Sequence, residues 1–360
     1  MPPFARRCST PTATRAGTAD RGVIRVALAG YGLAGRFFHG PLLRALPGFE
    51  LTAIVTNDAE RRAQASADFP AARLLAHADE LWPHAAGFDL VVIATATGSH
   101  APYAAAAIDA RIAAVVDKPL ATTAAEGTAL LERASIAGVP LIPFQNRRWD
   151  SDFLTCRRLI EAQALGGVQR FESRFERWKP SPNRSAWRET LPPEAGGGVL
   201  LDIGIHLVDQ ALALFGPVTR TYAETAARRG GADDDVFLAL QHASGPISQL
   251  WASAVTAAPG PRLRVLGSAG AYVHEHLDPQ EAALRAGASP LEPGFGVPPP
   301  QQWGQVVRGA QRQSVRPEPG RWLAFYEGVE RCLRDGAPPP VSAADAVTAL
   351  RILDDARRAI

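Results

Sequence analysis

Short, almost continuous apolar runs punctuate the first 144 residues, at 23–29, 51–55, 90–95, 113–116 and 139–144. Runs of this length without polar alternation predict strands buried on both faces. Between them, residues 33–46, 59–67, 102–109 and 122–137 read as helices, with a further short helix over 78–82. The punctuation agrees. Asn57-Asp58 and Thr123 predict helix caps, while Pro47-Gly48, Asp68-Phe69-Pro70 and Gly138 predict stops. Strands alternating with helices imply an α/β protein whose first part, 23–144, is a parallel, doubly wound sheet.

Beyond residue 144 the pattern changes. Residues 153–161 read as a helix and 168–175 as an alternating strand. A loop rich in Pro, Arg and Trp follows over 178–193, then an apolar helix over 200–215 behind Gly196-Gly197-Gly198. Residues 236–240, 248–255, 262–266 and 271–273 read as successive strands, 278–321 as ordered coil, and 322–335 and 343–358 as closing helices. This predicts an α+β domain over 145–341 with an open, largely antiparallel sheet suited to self-association. The last helix, within 342–360, is a candidate to return to the first domain. Residues 1–22, low in hydrophobicity, are expected to be a disordered leader.

Composition narrows the classes. The 360 residues are 46% hydrophobic and 21% charged with a net charge of +2, ordinary for a globular chain of two domains. Arg6, Arg7, Arg15 and Arg21 concentrate positive charge in the leader, and the rest is close to neutral. No basic stripe argues for nucleic acid, so Trp178, Trp187 and Trp251 are expected to pack rather than to stack on bases. Cys8, Cys156 and Cys332 form no CxxC motif or disulfide framework, which suits a reducing cytoplasm. No apolar run is long enough to span a membrane.

Four stretches carry candidate chemistry. In Gly30-Tyr31-Gly32-Leu33-Ala34-Gly35, an apolar run ends and a helix begins. Gly30 permits the turn, Gly32 admits a pyrophosphate to the backbone, and Gly35 lets helix and strand approach; N–H groups from Leu33 onward face the anion. Thr95-Ala96-Thr97-Gly98-Ser99-His100 and Asp117-Lys118-Pro119 lie at carboxyl ends of predicted strands, where ligands bind. Asp202 and His206 share one face of an otherwise apolar helix, where burial without a purpose is costly. At the end of the second strand stand neutral Thr56-Asn57 rather than a ribose-binding acid, with Arg61 and Arg62 one turn on. That favours NADP over NAD. His274 and His276 lack a third ligand, so no metal is expected. His39 and Asp209 are expected to be structural.

The glycine turn, Asp117-Lys118-Pro119 and Asp202-Ile203-Gly204-Ile205-His206 resemble the motifs of the glucose–fructose oxidoreductase and inositol dehydrogenase family, Gfo/Idh/MocA. The resemblance runs from about Arg25 to the C-terminus. Phe144-Gln145-Asn146-Arg147-Arg148-Trp149-Asp150, Phe38-His39-Gly40-Pro41-Leu42, Trp187-Arg188-Glu189 and Leu277-Asp278-Pro279-Gln280-Glu281 are similar to its NADP-dependent scyllo-inositol dehydrogenase branch. The chain departs from the family in Ala96, Asp117 and Leu201. The resemblance implies a Rossmann domain, a homodimer or homotetramer, and reversible oxidation of a ring alcohol of a cyclitol or sugar. Lys118, Asp202 and His206 are then catalytic. Thr95, Ala96, His100, Lys118 and Asn146 would approach the nicotinamide, and Arg147, Arg148 and Trp149 would border a small polyhydroxylated substrate. Alternatives are an aldose or other cyclitol dehydrogenase, a non-catalytic NADP-binding sensor, and a glycoside hydrolase with transient use of NAD.

Overall fold

The computed structural model describes residues 22–183 and 186–358; the expected leader, Gly22 apart, lies outside the described residues, as does Cys8. The first sheet is laid down by β1 (Ile24–Ala29), β2 (Phe49–Val55), β3 (Arg73–Leu75), β4 (Leu90–Ile93), β5 (Ala113–Asp117) and β6 (Leu141–Phe144). Between them run α1 (Gly40–Arg44, entered through a π turn at Gly35–His39), α2 (Ala59–Asp68), α3 (His100–Asp109) and α4 (Ala124–Ala137). Asp58 and Thr123 accept the cap bonds expected of them, from Arg61 and Glu126 N–H groups, and Gly138 ends α4 with a φ of 65°.

All strand pairs in this sheet are parallel, in the order β3-β2-β1-β4-β5-β6. The order reverses between β1 and β4, which opens a crevice at the carboxyl ends of those strands. Val26, Leu28, Val91, Val92, Val115 and Val116 are wholly buried, so the apolar runs reflect helices on both faces.

The second sheet follows α5 (Ser151–Glu161). Its strands are β7 (Val168–Glu176), β8 (Val218–Ala226), β9 (Asp235–His242), β10 (Ile247–Ser253), β11 (Leu263–Gly267), β12 (Gly270–His274), β13 (Gln305–Arg308) and β14 (Gln311–Ser314). Helices α6 (Trp187–Thr190) and α7 (Ile205–Phe215) lie between β7 and β8, and α8 (Gln280–Arg285) follows β12. The order is β14-β13-β12-β11-β7-β10-β9-β8, antiparallel except where β7 and β10 run parallel. Helix α7 packs on β7 and β10, while the opposite face leaves Tyr222 54% exposed.

Three elements of this sheet differ from the sequence expectation. β8 is an edge strand with polar Thr219, Arg220, Thr221 and Glu224, which masks its period. β13 and β14 form a polar hairpin turned at Gly309, within the stretch expected to be coil. Trp178, expected to pack, is 58% exposed.

The chain returns to the first sheet twice. Helix α9 (Leu323–Asp335) brings Phe325, Tyr326 and Val329, preceded by Trp322, into one apolar cluster with Ile24, Val26 and Leu28. His39 Nδ1 lies 2.7 Å from the Tyr326 hydroxyl, so that histidine is a core group, and burial lowers its pKa to about 4. Helix α10 (Ala343–Arg358) packs along α4, α7 and β8. Among the described residues no helix is long and apolar enough to cross a membrane.

If α9 belongs to the core of the first sheet, Phe325→Ala should cost about 3–5 kcal/mol of unfolding free energy, the usual range for a buried phenylalanine. Urea denaturation checks this; a loss below about 1 kcal/mol would mean that the sheet does not depend on α9.

Candidate active site

The glycine turn meets two different demands. A Cβ on Gly30, whose φ is 101°, would lie 2.5 Å from the Ala94 carbonyl oxygen, and one on Gly35 would lie 2.0 Å from that of Gly30. Both glycines are therefore required by the protein itself. Gly32 is not: the nearest atom to its Cβ position is Arg61 Nη1, 3.8 Å away. Open space over a bare backbone beside a guanidinium fits a pyrophosphate-bearing dinucleotide. Arg61 pairs with no acid among the described residues, Asp58 Oδ1 accepts from the Arg61 N–H at 2.9 Å, and Arg62 Nη1 donates to the Thr56 carbonyl at 3.1 Å. Thr56 is buried and Asn57 exposed.

Leu33, Lys118, Asn146, Arg147, Asp202 and His206 come together on one cleft of about 370 Å³. They arrive from the glycine turn, the end of β5, the segment after β6, and the start of α7. Thr95, Ala96 and His100 do not line this cleft. His100 is buried, with Nδ1 2.7 Å from the Pro119 carbonyl oxygen and Nε2 3.2 Å from that of Thr95. It joins the Thr95 loop to the Lys118 loop, where a direct cofactor contact was expected. Thr95 Oγ1 accepts from Ser99 Oγ at 2.8 Å, which gives the proline-free turn an internal tie.

Electrostatics at the centre are set by Asp202. Lys118 Nζ donates to its Oδ1 at 2.8 Å and to its carbonyl at 2.6 Å, and Arg188 Nε donates to the same Oδ1 at 3.1 Å. Burial pushes the carboxyl up, but Lys118 and Arg188 together hold it well below the usual carboxylate range. Burial, with Lys118, Arg147 and Arg262 nearby, lowers His206 well below its ordinary value. Its Nδ1 is buried without a hydrogen-bond partner, which leaves Nε2 as the nitrogen open to the cleft. The first turn of this helix, Leu200–Gly204, is a π turn, and Asp202 sits inside it.

The Asn146–Trp149 segment is held by ion pairs that sequence spacing does not reveal. Arg147 faces the cleft yet bonds Asp150 at 3.2 Å and Glu281 at 3.1 Å, with its guanidinium 4.7 Å above the Phe175 ring. Arg148 and Trp149 do not border the cleft. Arg148 forms a fork on Asp209, at 2.9 and 2.7 Å, which also explains why Asp209 is structural. Trp149 packs edge-on against Phe325, 5.8 Å between centroids. Below them Asp150 accepts from Trp322 Nε1 at 2.7 Å, and burial raises its pKa to about 6. Arg177, Lys179 and Arg188 also line the cleft and were not singled out as site residues. For Arg188 the only signal was the Trp187-Arg188-Glu189 match.

A doubly wound sheet whose reversal point meets a glycine turn, a strand-end lysine and an acid–imidazole pair defines a dinucleotide-dependent oxidoreductase. The chain belongs to the GFO/IDH/MocA oxidoreductase family: residues 24–144 match its NAD-binding Rossmann fold and 153–273 its C-terminal domain. It is 32% identical to scyllo-inositol 2-dehydrogenase (NADP(+)) IolW of Bacillus subtilis, covering 92% of each chain. Identity to the oxidoreductase YdgJ of Escherichia coli is 35%, over 92% of this chain and 94% of that one. The solved structure of the oxidoreductase yvaA from Bacillus subtilis superposes with a TM-score of 0.85 at 31% identity, covering 94% of this chain and 97% of that one.

The two glycine demands separate in a test. Gly32→Ala should leave stability within about 1 kcal/mol, since no protein atom opposes the methyl group, yet weaken dinucleotide binding in a fluorescence titration. Gly35→Ala should lower stability by about 1–3 kcal/mol or more. Equal dinucleotide affinity in Gly32→Ala and the parent would remove the pyrophosphate from this turn.

Proposed function

We propose that the protein is an NADP-dependent dehydrogenase that interconverts a ring alcohol of a cyclitol or sugar and its ketone, with scyllo-inositol and scyllo-inosose as the first pair. The observation that carries this reading is the meeting of Lys118, Asp202 and His206 on the cleft reached by the glycine turn. The relative from Bacillus subtilis that acts on scyllo-inositol supports the substrate class. So does a lining of charged and amide groups, which suits a ring whose several hydroxyls need partners once desolvated.

The bound nicotinamide supplies the hydride acceptor. His206 Nε2, neutral in the resting site, takes the hydroxyl proton. Lys118 has three N–H donors and spends two on Asp202, so the third stabilises the negative charge developing on the same oxygen. Asp202 holds that ammonium in place, and Arg188 keeps Asp202 ionised. Asn146 and Arg147 complete the wall around the ring. Free Cys156 and Cys332 suit a reducing cytoplasm, and the open face of the second sheet, with Tyr222 exposed, suits a homodimer or homotetramer.

NADPH formation should be assayed on scyllo-inositol, myo-inositol, glucose, xylose and simple aliphatic alcohols, with scyllo-inosose reduction in reverse. Turnover of aliphatic alcohols alone would defeat the polyol reading, and turnover of glucose or xylose alone only the inositol assignment. His206→Ala and Lys118→Ala should each cut kcat by about 10²–10⁴ with cofactor affinity nearly intact. Because the folded imidazole pKa is depressed, His206 stays neutral as pH falls below about 6.5, and the acidic limb of kcat should lie below that value. A limb at or above it, abolished in the His206 variant, would contradict the burial argument. For the cofactor, Arg61→Ala should weaken NADP more than NAD; equal or tighter NAD binding by the parent protein would defeat the NADP assignment.

A further inference from the structure

Helix α10 touches both halves of the site without entering it. Near its N-terminal end, Asp345 Oδ2 accepts from Arg148 Nη2 at 3.2 Å. The same guanidinium grips Asp209, three residues after His206 on α7. Toward the other end, Asp354 Oδ2 accepts from the Ala124 N–H at 2.8 Å, and Arg357 Nη1 donates to the Thr122 carbonyl at 3.0 Å. Thr122 and Ala124 close the loop that starts at Lys118. Between these ends α10 lies close on α4: a Cβ on Gly127 would be 3.1 Å from Leu350 Cδ1 and 3.2 Å from Val347 Cγ2.

Lys118 follows β5 of the first sheet and His206 sits on α7, which packs on the second sheet, so their spacing depends on what spans the cleft between them. The Lys118–Asp202 contact spans it inside the cleft, where a substrate hydroxyl competes for the same ammonium. The bonds of α10 span it outside the cleft, where substrate does not reach. We propose that α10 is a strut that fixes the lysine loop against the histidine helix, with Arg148, Asp345 and Asp354 as positioning residues. The proposal rests on the assignment of Lys118 and His206 made above. Its importance follows from geometry, since a misplacement of about 1 Å between reacting groups can cost about 10²-fold in rate.

The test removes one end and reads the other. Asp345→Ala should raise amide hydrogen exchange across residues 118–124, and Asp354→Ala should raise it across 205–210, each by about threefold or more through local opening. Asp345 and Asp354 are separated by about 13.5 Å of helix, more than the roughly 7–10 Å past which independent sites act additively. Each variant should lower kcat by about tenfold with KM and dinucleotide affinity unchanged, because misplacement acts on the reacting groups. The double variant should lose little more than either single one, because α10 relays position between the two segments only while both ends are tied. Asp345→Glu should recover part of the loss. Exchange that rises only beside each substituted residue, or losses in kcat that multiply, would overturn the strut. A parent protein inactive on every polyol would instead defeat the reaction assignment, and the exchange pattern would still decide the strut.

Discussion

The Asp202 carboxylate between the Lys118 ammonium and the Arg188 guanidinium is the contact on which the site depends. A carboxylate withdrawn from water is costly unless paired and hydrogen-bonded, and here two cations share one of its oxygens. The pair also crosses from the end of β5 to the turn that leads into α7, so it ties the first sheet to the helix packed on the second. Burial first, and then Lys118, the cation that also holds Asp202 ionised, discourages a proton on His206. One arrangement of charge therefore provides an ammonium donor and a neutral imidazole side by side, the division of labour that proton transfer coupled to oxidation needs.

Behind that pair lies a second charged layer that never meets the cleft directly. Arg262 pairs with Asp152 at 3.0 Å and donates to Gln210 at 3.0 Å, and Gln210 in turn donates to the Arg147 carbonyl at 2.8 Å. Asp278 accepts from the Ser151 and Gln280 N–H groups at 2.7 and 2.8 Å. The 146–151 and 277–281 segments, far apart in sequence, are thereby locked to each other and to α7. At the Arg262–Asp152 pair the layer is held by charge without a hydrogen bond between Nε and Oδ2, and elsewhere by the hydrogen bonds to Gln210 and Asp278.

The legible parts of the chain were those written in local pattern. Buried parallel strands read as unbroken apolar runs, the glycine turn announced itself through three residues, and Asp202 and His206 stood out on an apolar helix. The polar edge strand β8 and the β13–β14 hairpin carry no such period. Nor does sequence spacing reveal that α9 completes the first core through Phe325 and Tyr326, since that packing joins residues some three hundred positions apart. For the same reason Arg148 and Trp149 pointed to the substrate in sequence but serve Asp209 and Phe325 in space. The resemblance located the right segment; only the partners could tell which of its side chains face inward.

Two helices that border the cleft, one after the glycine turn and one carrying His206, each begin with a π turn, at Gly35–His39 and Leu200–Gly204. A π turn holds one residue more than the α-helical turn it replaces, so everything before it is rotated by about 100° against everything after. Asp202 lies inside that turn and His206 just after it, so the surplus residue sets how the segment before the turn is aimed relative to His206. An alignment of related chains would show the difference as a gap of one position, not as a changed letter. Losing a single residue between Leu200 and Gly204 would regularise the helix, keep Lys118 and His206 in the sequence, and still turn the chain before the deletion by about 100° relative to His206.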